Sequence, residues 1–565
     1  MKRFIPAIIA IVLILILGAS YVGKIAFDKL SYSTEKADLK SYFDLESAED
    51  IAVYLQDESI EADVVLDGTY YMNINDVHSI LNGRFYYNEA EQTVSYTEPG
   101  ENHVITVGEN GSYAYTPAKL IGGKLYLALA YVKEYTNFSY EGFSEENIPE
   151  RLQIYTEFPT RNAANITKPT KLRIRGGVKS EILCDLEKGD TVYVMDVLEN
   201  WSKVRTNDCF VGYVENKFLS ETKEIEAIPV TEYEAPSYPA PVGAENICVG
   251  WHQIGGTGGN DTIYSVTEKT KGMNVLSPTW YALTDSYGNF VSYGSQDYVA
   301  RAHEMGMEVW ALIDDFTYQD DVSDLELFSS SESRATLINN LVNETLRLGA
   351  DGINIDFENV NSESGEHFVQ FIRELSIPCH ENGITLSIDN YVPLGITSYY
   401  NRAEQGVFAD YIIIMGYDEH YPSSTEAGSV ASINYTRNGI EQTLTEVPNN
   451  KVINGIPFYT RIWYETESSL KCQTVDMGMA IDYVKNHQLE QRWDEETCQN
   501  YAEGVIDGEQ VKVWLEDIES IQTKLNVMDK YDLAGVAVWK LGFETDGVWD
   551  VIEAYISNGY NNTSD

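Results

Sequence analysis

Basic residues are scarce in this 565-residue chain: 39 Lys and Arg stand against 88 Asp and Glu, a formal net charge of −49. A field of that sign repels phosphate backbones, which argues against a nucleic-acid partner. Cysteine is sparse as well. Cys184, Cys209, Cys248, Cys379, Cys472 and Cys498 form no CxxC pair, so a zinc site is poorly supported and no metal or organic cofactor is expected. Cys184/Cys209 and Cys472/Cys498 are spaced to close loops, and are either disulfides of an exported protein or free thiols. His78 and His103 stand alone and read as structural.

Apolar residues are plentiful. At 43% hydrophobic and 12% aromatic the chain is globular, and its length is too great for one core, so about three or four domains are expected. Its 40 tyrosines suit half-buried strand positions, and tyrosine also lines surfaces that bind sugars. One long uncharged run, Phe4 to Gly23, follows Lys2 and Arg3. About 20 residues suffice to cross a bilayer, and the flanking positive charges place the N-terminus inside the cell. Gly18-Ala19-Ser20 would also suit a cleaved signal peptide, in which case the protein is secreted. The run is long for such a signal and no lipobox cysteine follows, so residues 1–35 are read as a membrane anchor and spacer, with the rest of the chain extracytoplasmic.

Residues 36–160 alternate strands and turns; "ADVVLDGTYYMNINDVHSIL" reads as strand, Asp-Gly turn, strand, short helix. This mixed α/β segment weakly resembles the stalk-type domain at the N-terminus of copper amine oxidases, which implies a spacer without copper. Residues 165–222 read as a compact β unit, in which "LRIRGG", "LEKGDTVYV", "WSKV" and "GYVENKFL" resemble a bacterial SH3 domain. That resemblance implies either a module that holds cell-wall peptide or a spacer barrel. Residues 223–241, with "EIEAIPVTEYEAPSYPAP", form a stiff Pro-rich linker.

From 242 to 558 strands and helices alternate, the pattern of an α/β (β/α)₈ TIM barrel. Its strands are "NICVGWHQI", "GMNVLSPTWYAL", "GMEVWALIDDF", "ADGINIDFENV", "GITLSIDNYV", "ADYIIIMGYDEH", "KVINGIPFYTR" and "LAGVAVWKLGF". The gap from about 462 to 531 holds its own strand, "EQVKVWLED", and reads as a small α+β insertion.

The fourth strand carries the chemistry. Side chains alternate along a strand, so Ile353, Ile355 and Phe357 face the covering helices while Asn354, Asp356 and Glu358 face into the barrel. Burying those groups costs several kcal/mol unless they are paired or used. Glu358 lies nearest the C-terminal end of the strand, where barrels keep their active sites. A carboxylic acid beside a second carboxylate keeps its proton to higher pH, which general-acid cleavage of a glycosidic bond requires. Asp351 has the opposite parity and reads as structural support.

"DGINIDFE" resembles the DxxDxDxE signature of family 18 glycoside hydrolases, a family of chitinases and N-acetylglucosaminidases, with Asn354 where the pattern usually has Asp. "MGYDEH", "GIPFYTR" and "VAVWKLG" resemble its sixth, seventh and eighth strands. The resemblance implies a retaining, substrate-assisted reaction with no cofactor. In it Glu358 is general acid and base, and Asp356 orients the substrate's 2-acetamido group. Tyr417 bonds the acetamido oxygen and Asn354 supports Asp356. Met415, Asp418, Tyr459, Arg461 and Trp539 become substrate-binding residues. Many chitinases carry Ser-x-Gly-Gly at the third strand, where this chain has "ALIDDF". "FENV", "GYDEHY" and "VWLED" look more like cell-wall and spore-cortex members of Gram-positive bacteria. The implied polymer is peptidoglycan. A chitinase acting on chitin-type oligosaccharides and a non-catalytic glycan-binding lectin are the alternatives.

Overall fold

The structure, a computed structural model, describes residues 5–47, 49–226, 231, 233–238 and 246–558. Lys2, Arg3 and part of the Pro-rich linker lie outside the described residues. Two compact units form: Met1–Phe85 with Ile105–Ala235, and Tyr86–Val104 with Pro236–Asp565.

The first unit begins with the helix Ile5–Leu30. Its window Ile8–Ile25 is exposed, with a mean hydropathy of 2.4. At ~1.5 Å per residue such a window spans roughly 27 Å, close to a bilayer core. The helix is thus long and apolar enough to cross a membrane, as a signal sequence also is. After it, Val64–Asp67 and Thr69–Asn73 form the expected hairpin about Gly68, whose φ of 73° the Asp-Gly turn demands.

Seven strands between Thr160 and Glu226 form one antiparallel sheet. Its apolar face does not close on itself. Leu172, Val192, Val204, Phe210 and Val214 share one core with Phe43, Ala52 and Tyr54. The Phe43 ring lies 5.3 Å from Phe210 and 6.3 Å from Tyr54, centroid to centroid. So short a β segment buries too little surface by itself, and the residues around 43–54 complete it. The boundary expected between 160 and 165 therefore separates no independent cores. Of the two readings left open for the cysteines, the structure has the free thiols. All six cysteines are free, and Cys209 points into this core.

The second unit contains the barrel. Its strands are β1 (Ile247–His252), β2 (Val275–Leu283), β3 (Glu308–Asp314), β4 (Gly352–Asp356), β5 (Thr385–Tyr391), β6 (Tyr411–Met415), β7 (Val452–Pro457) and β8 (Gly535–Trp539). They are parallel, and β1 pairs with both β2 and β8, which closes the ring. All eight fall within the segments read from the sequence. Inside the barrel Trp310 stacks on Tyr411 at 5.4 Å, among Val249, Leu312, Ile413 and Ile453. Outside it, Ile353, Ile355 and Phe357 join the main core beneath the helices, as their parity requires.

The approach to β4 is held at several points. The helix Ser331–Leu348 is capped by Ser330, whose side chain accepts from the Ser333 N–H, and it ends at Gly349 with φ 73°. Asp351 then accepts hydrogen bonds from the Val309 N–H and from His303, each at 2.8 Å, and ties β3 to β4.

The insertion is a five-stranded sheet from Tyr459 to Leu515 with one helix, Met477–Asn486. It starts a little before the expected 462 and ends before 531, because Ile518–Lys530 is a barrel helix whose Ile521, Leu525 and Met528 enter the main core.

Residues 86–104 belong to this second unit, although the sequence assigned them to the stalk. Their strands lie against the barrel helices Ser331–Leu348 and Gly365–Glu381. Tyr86 Oη is 2.5 Å from His367 Nδ1, and Gln370 Nε2 donates to Thr97 Oγ1 at 3.0 Å. The Arg334 guanidinium packs over the Tyr86 ring and pairs with Glu374 at 2.8 Å. Alternation marked these residues as strands, but nothing local showed that their partner face lies on helices about 240 residues later.

Candidate active site

The inward side chains of β4 are buried at its C-terminal end: Asn354 is 0% exposed and Asp356 7%. They open on a cavity of about 590 Å³. Asp356, Glu358, Met415, Tyr417, Asp418, Tyr459 and Trp539, seven of the nine residues singled out in the sequence, line it.

Asn354 occupies a fixed orientation. Its Oδ1 accepts from Trp251 Nε1 at 2.9 Å and from Ser277 Oγ at 3.0 Å. An indole N–H can only donate, so the amide oxygen must face Trp251. The NH₂ group therefore points to the adjacent strand, where Nδ2 donates to Asp389 Oδ1 at 2.8 Å. Among the described residues no hydrogen bond joins Asn354 to Asp356 directly; the amide meets Asp389, the neighbour of Asp356, instead.

Asp389, on β5, was not singled out in the sequence. It is 2% exposed and neighbours Asp356 on the adjacent strand. Burial first, then the charge of Asp389, holds the Asp356 carboxyl well above the usual carboxylate range. Asp389 is raised as well, by burial, with the Asn354 amide opposing. Two such groups share their proton and titrate as a pair.

Glu358, half-buried, receives a hydrogen bond from the Tyr391 hydroxyl at 2.5 Å. Burial raises its carboxyl above the ordinary value; the Tyr391 hydrogen bond opposes, and the nearby Asp315 adds to the rise. The Asp356 Oδ1 atom is buried and without a partner. The Tyr417 hydroxyl also makes no hydrogen bond to the described residues. Asp356 and Tyr417 line the same cavity.

Trp251 packs edge-on against Tyr417 at 6.5 Å and against Trp539 at 6.0 Å, and these rings wall the cavity. Asp418 is gripped by the Tyr459 hydroxyl and by Arg461 Nη1, the latter at 2.9 Å. Arg461 also donates to the His420 carbonyl at 2.8 Å. It lies behind Asp418 and does not reach the cavity wall, so substrate contact, expected from the sequence, falls to its partners. Among the described residues, no group of three or more His, Cys, Asp or Glu side chains could hold a metal ion.

Asp389 and Tyr391 were legible by the rule that found β4. Ser387, Asp389 and Tyr391 recur at every second position of "TLSIDNY".

A closed parallel barrel with paired carboxyls at the C-terminal end of its strands, one of them raised toward neutrality, has the equipment of a glycosidase. Residues 310–544 match the sequence model of the glycosyl hydrolases family 18. The protein is a glycosidase. Over 316 residues the chain is 26% identical to the uncharacterized glycosylase YvbX of Bacillus subtilis (strain 168), covering 53% of this chain and 90% of that protein. Over 233 residues it is 28% identical to the cortical fragment-lytic enzyme of the same organism, covering 40% of this chain and 54% of that one. Among solved structures, the Bacillus cereus spore cortex-lytic enzyme SleL superposes with a TM-score of 0.50 at 18% identity, over 58% of this chain and 78% of that one; the shared feature is the fold.

Proposed function

We propose that this glycosidase cleaves β-1,4 bonds after N-acetylglucosamine in cell-wall peptidoglycan, outside the cytoplasm, by a retaining, substrate-assisted mechanism. The observation that carries this reading is the unpaired Asp356 Oδ1 beside the unpaired Tyr417 hydroxyl. A 2-acetamido group complements both: its N–H would donate to Asp356 and its carbonyl oxygen would accept from Tyr417. That oxygen is thereby held for attack on the anomeric carbon. Glu358 protonates the departing glycosidic oxygen, and then takes a proton from the water that opens the oxazolinium intermediate. Asp356 in its ionised form balances the positive charge on that intermediate, and Asp389 can take the proton that Asp356 gives up. Trp539 supplies an apolar floor to the sugar.

Peptidoglycan is favoured over chitin by the relatives. Two are named as a cortical fragment-lytic enzyme and a putative sporulation-specific glycosylase. The helix Ile5–Leu30 would hold the protein at the outer face of the cell membrane, and the sheet within 165–222 is the candidate contact for wall peptide.

Incubating the full chain in detergent with purified peptidoglycan and, separately, with chitin tests the reading. Mass spectrometry should find fragments with N-acetylglucosamine at the reducing end from peptidoglycan, and none from the Glu358→Gln protein. Fragments from chitin alone would identify a chitinase, and binding without product would identify a lectin.

A pH profile tests the environment of the acid. The Tyr391 hydrogen bond lowers the proton affinity of Glu358. Tyr391→Phe removes it, so Glu358 should keep its proton to higher pH and the alkaline limb of kcat/KM should move upward. An unchanged limb would show that Tyr391 does not tune the acid.

A further inference from the structure

The "ALIDDF" segment ends in two carboxylates, and they do different things. Asp314 folds back on its own chain: it accepts from the Thr317 N–H at 2.8 Å, from Thr317 Oγ1 at 3.0 Å and from the Phe316 N–H at 3.2 Å. Asp315 reaches across to the strand beside it. Its Oδ1 accepts from the Glu358 N–H and its Oδ2 from the Asn359 N–H, both at 2.9 Å. Asn359 Nδ2 returns a hydrogen bond to the Asp315 carbonyl at 3.0 Å. Asp315 is 1% exposed, so these bonds are shielded from water.

Three bonds between Asp315 and the Glu358–Asn359 dipeptide are more than β-sheet continuity needs. β4 ends at Asp356, and the chain from Glu358 onward has no strand partner of its own. Without Asp315 the backbone N–H groups of Glu358 and Asn359 would have to find water, and the side chain they carry would lose its fixed origin.

We propose that Asp315 is the positioning residue for the acid Glu358: by clasping the backbone on both sides of that residue it fixes where the Glu358 carboxyl enters the cavity. This rests on the glycosidase role assigned to Glu358 above.

Asp324 lies beside the clasp without bonding the Glu358 or Asn359 backbone. It is 6% exposed, neighbours Asp315, and its Oδ2 has no partner. Burial raises both carboxyls above the ordinary range, Asp315 to about 8 with the charge of Asp324 adding to the rise, and Asp324 to about 6 with its hydrogen bond to Asp315 opposing, so the pair keeps one proton near neutrality. The two N–H groups that Asp315 accepts oppose its own rise. An ionised Asp315 in turn helps Glu358 hold its own proton.

Other titratable groups face Glu358. Asp314 stands beside Asp315, Asp356 lies on β4, and Tyr391 on β5. Asp389, Tyr400, Tyr417 and Asp418 complete the set, and none of these groups is basic.

Two isosteric substitutions should then differ in effect. Asp315→Asn removes the charge and turns one acceptor into a donor that opposes an N–H. The kcat on peptidoglycan should fall about a hundredfold, the scale of a misplaced catalytic group. With a negative neighbour gone, Glu358 loses its proton at lower pH, and the alkaline limb moves down. Asp324→Asn leaves the two N–H bonds of Asp315 in place, so its rate and limb should stay near wild-type values. Infrared difference spectra of each full-length protein against its Glu358→Gln counterpart report the Glu358 carboxyl directly, without turnover. They should show a lowered titration in Asp315→Asn and an unmoved one in Asp324→Asn. If Asp324→Asn is the damaging change, or if Glu358 titrates alike in all three proteins, the proposal is overturned. Should Asp315→Asn fail to fold, the Asp324→Asn spectrum still decides, since a lowered Glu358 titration there contradicts it. Turnover that survives Glu358→Gln sinks the functional reading instead, and the infrared result separates the two failures.

Discussion

Glu358→Gln should lower kcat by about 10²–10⁴-fold or more while leaving KM nearly unchanged, because general-acid assistance is worth that much and the amide keeps the shape of the carboxyl. The reasoning rests on position. Glu358 is the last inward group of the β4 run, it borders the cavity, and it receives only the Tyr391 hydroxyl as a side-chain donor. Burial raises its carboxyl, so a larger fraction is protonated at neutral pH than for an ordinary glutamate. Glutamine cannot give up a proton to a leaving oxygen. Product assays at several substrate concentrations separate the two constants. A variant that retained more than a tenth of the wild-type kcat would show that another group supplies the proton.

Asp356→Asn should cost about 10²–10³-fold in kcat, the scale of removing one preorganised charge from a water-poor site. The same change should raise the melting temperature at pH 7. Asp356 is buried, its Oδ1 has no partner, and its carboxyl is raised well above the ordinary value. A group whose proton affinity rises on folding favours the folded state below its unfolded pKa, and that favour is lost as pH rises above it. At neutral pH the wild type thus carries an ionisation penalty that the amide lacks. Thermal scans at pH 4 and 7 should show the two proteins converging at the acid end. A variant less stable than wild type at pH 7 would mean that Asp356 is compensated in the resting protein.

Much of this was legible in the chain. Period-two alternation placed Asn354, Asp356 and Glu358 on one face, and apolar runs located all eight barrel strands. What escaped were partnerships across strands. Asn354 was read with its own strand neighbour, yet its amide belongs to Trp251, Ser277 and Asp389, on three other strands. Arg461 looked like a substrate contact because it follows the seventh strand, but the insertion begins there and turns its guanidinium to Asp418 and the His420 carbonyl. Register between distant segments is set by tertiary packing, which local spacing does not encode.

The same holds on a larger scale for residues 86–104. The barrel draws part of its outer surface from a stretch of chain that precedes it by about 150 residues and lies within another unit's sequence. A gene fragment cut at the Pro-rich linker would encode every strand of the barrel and still leave His367, Gln370 and Glu374 without their native covering. The catalytic module is not a contiguous cassette, so a recombination point at the linker would not transfer it intact.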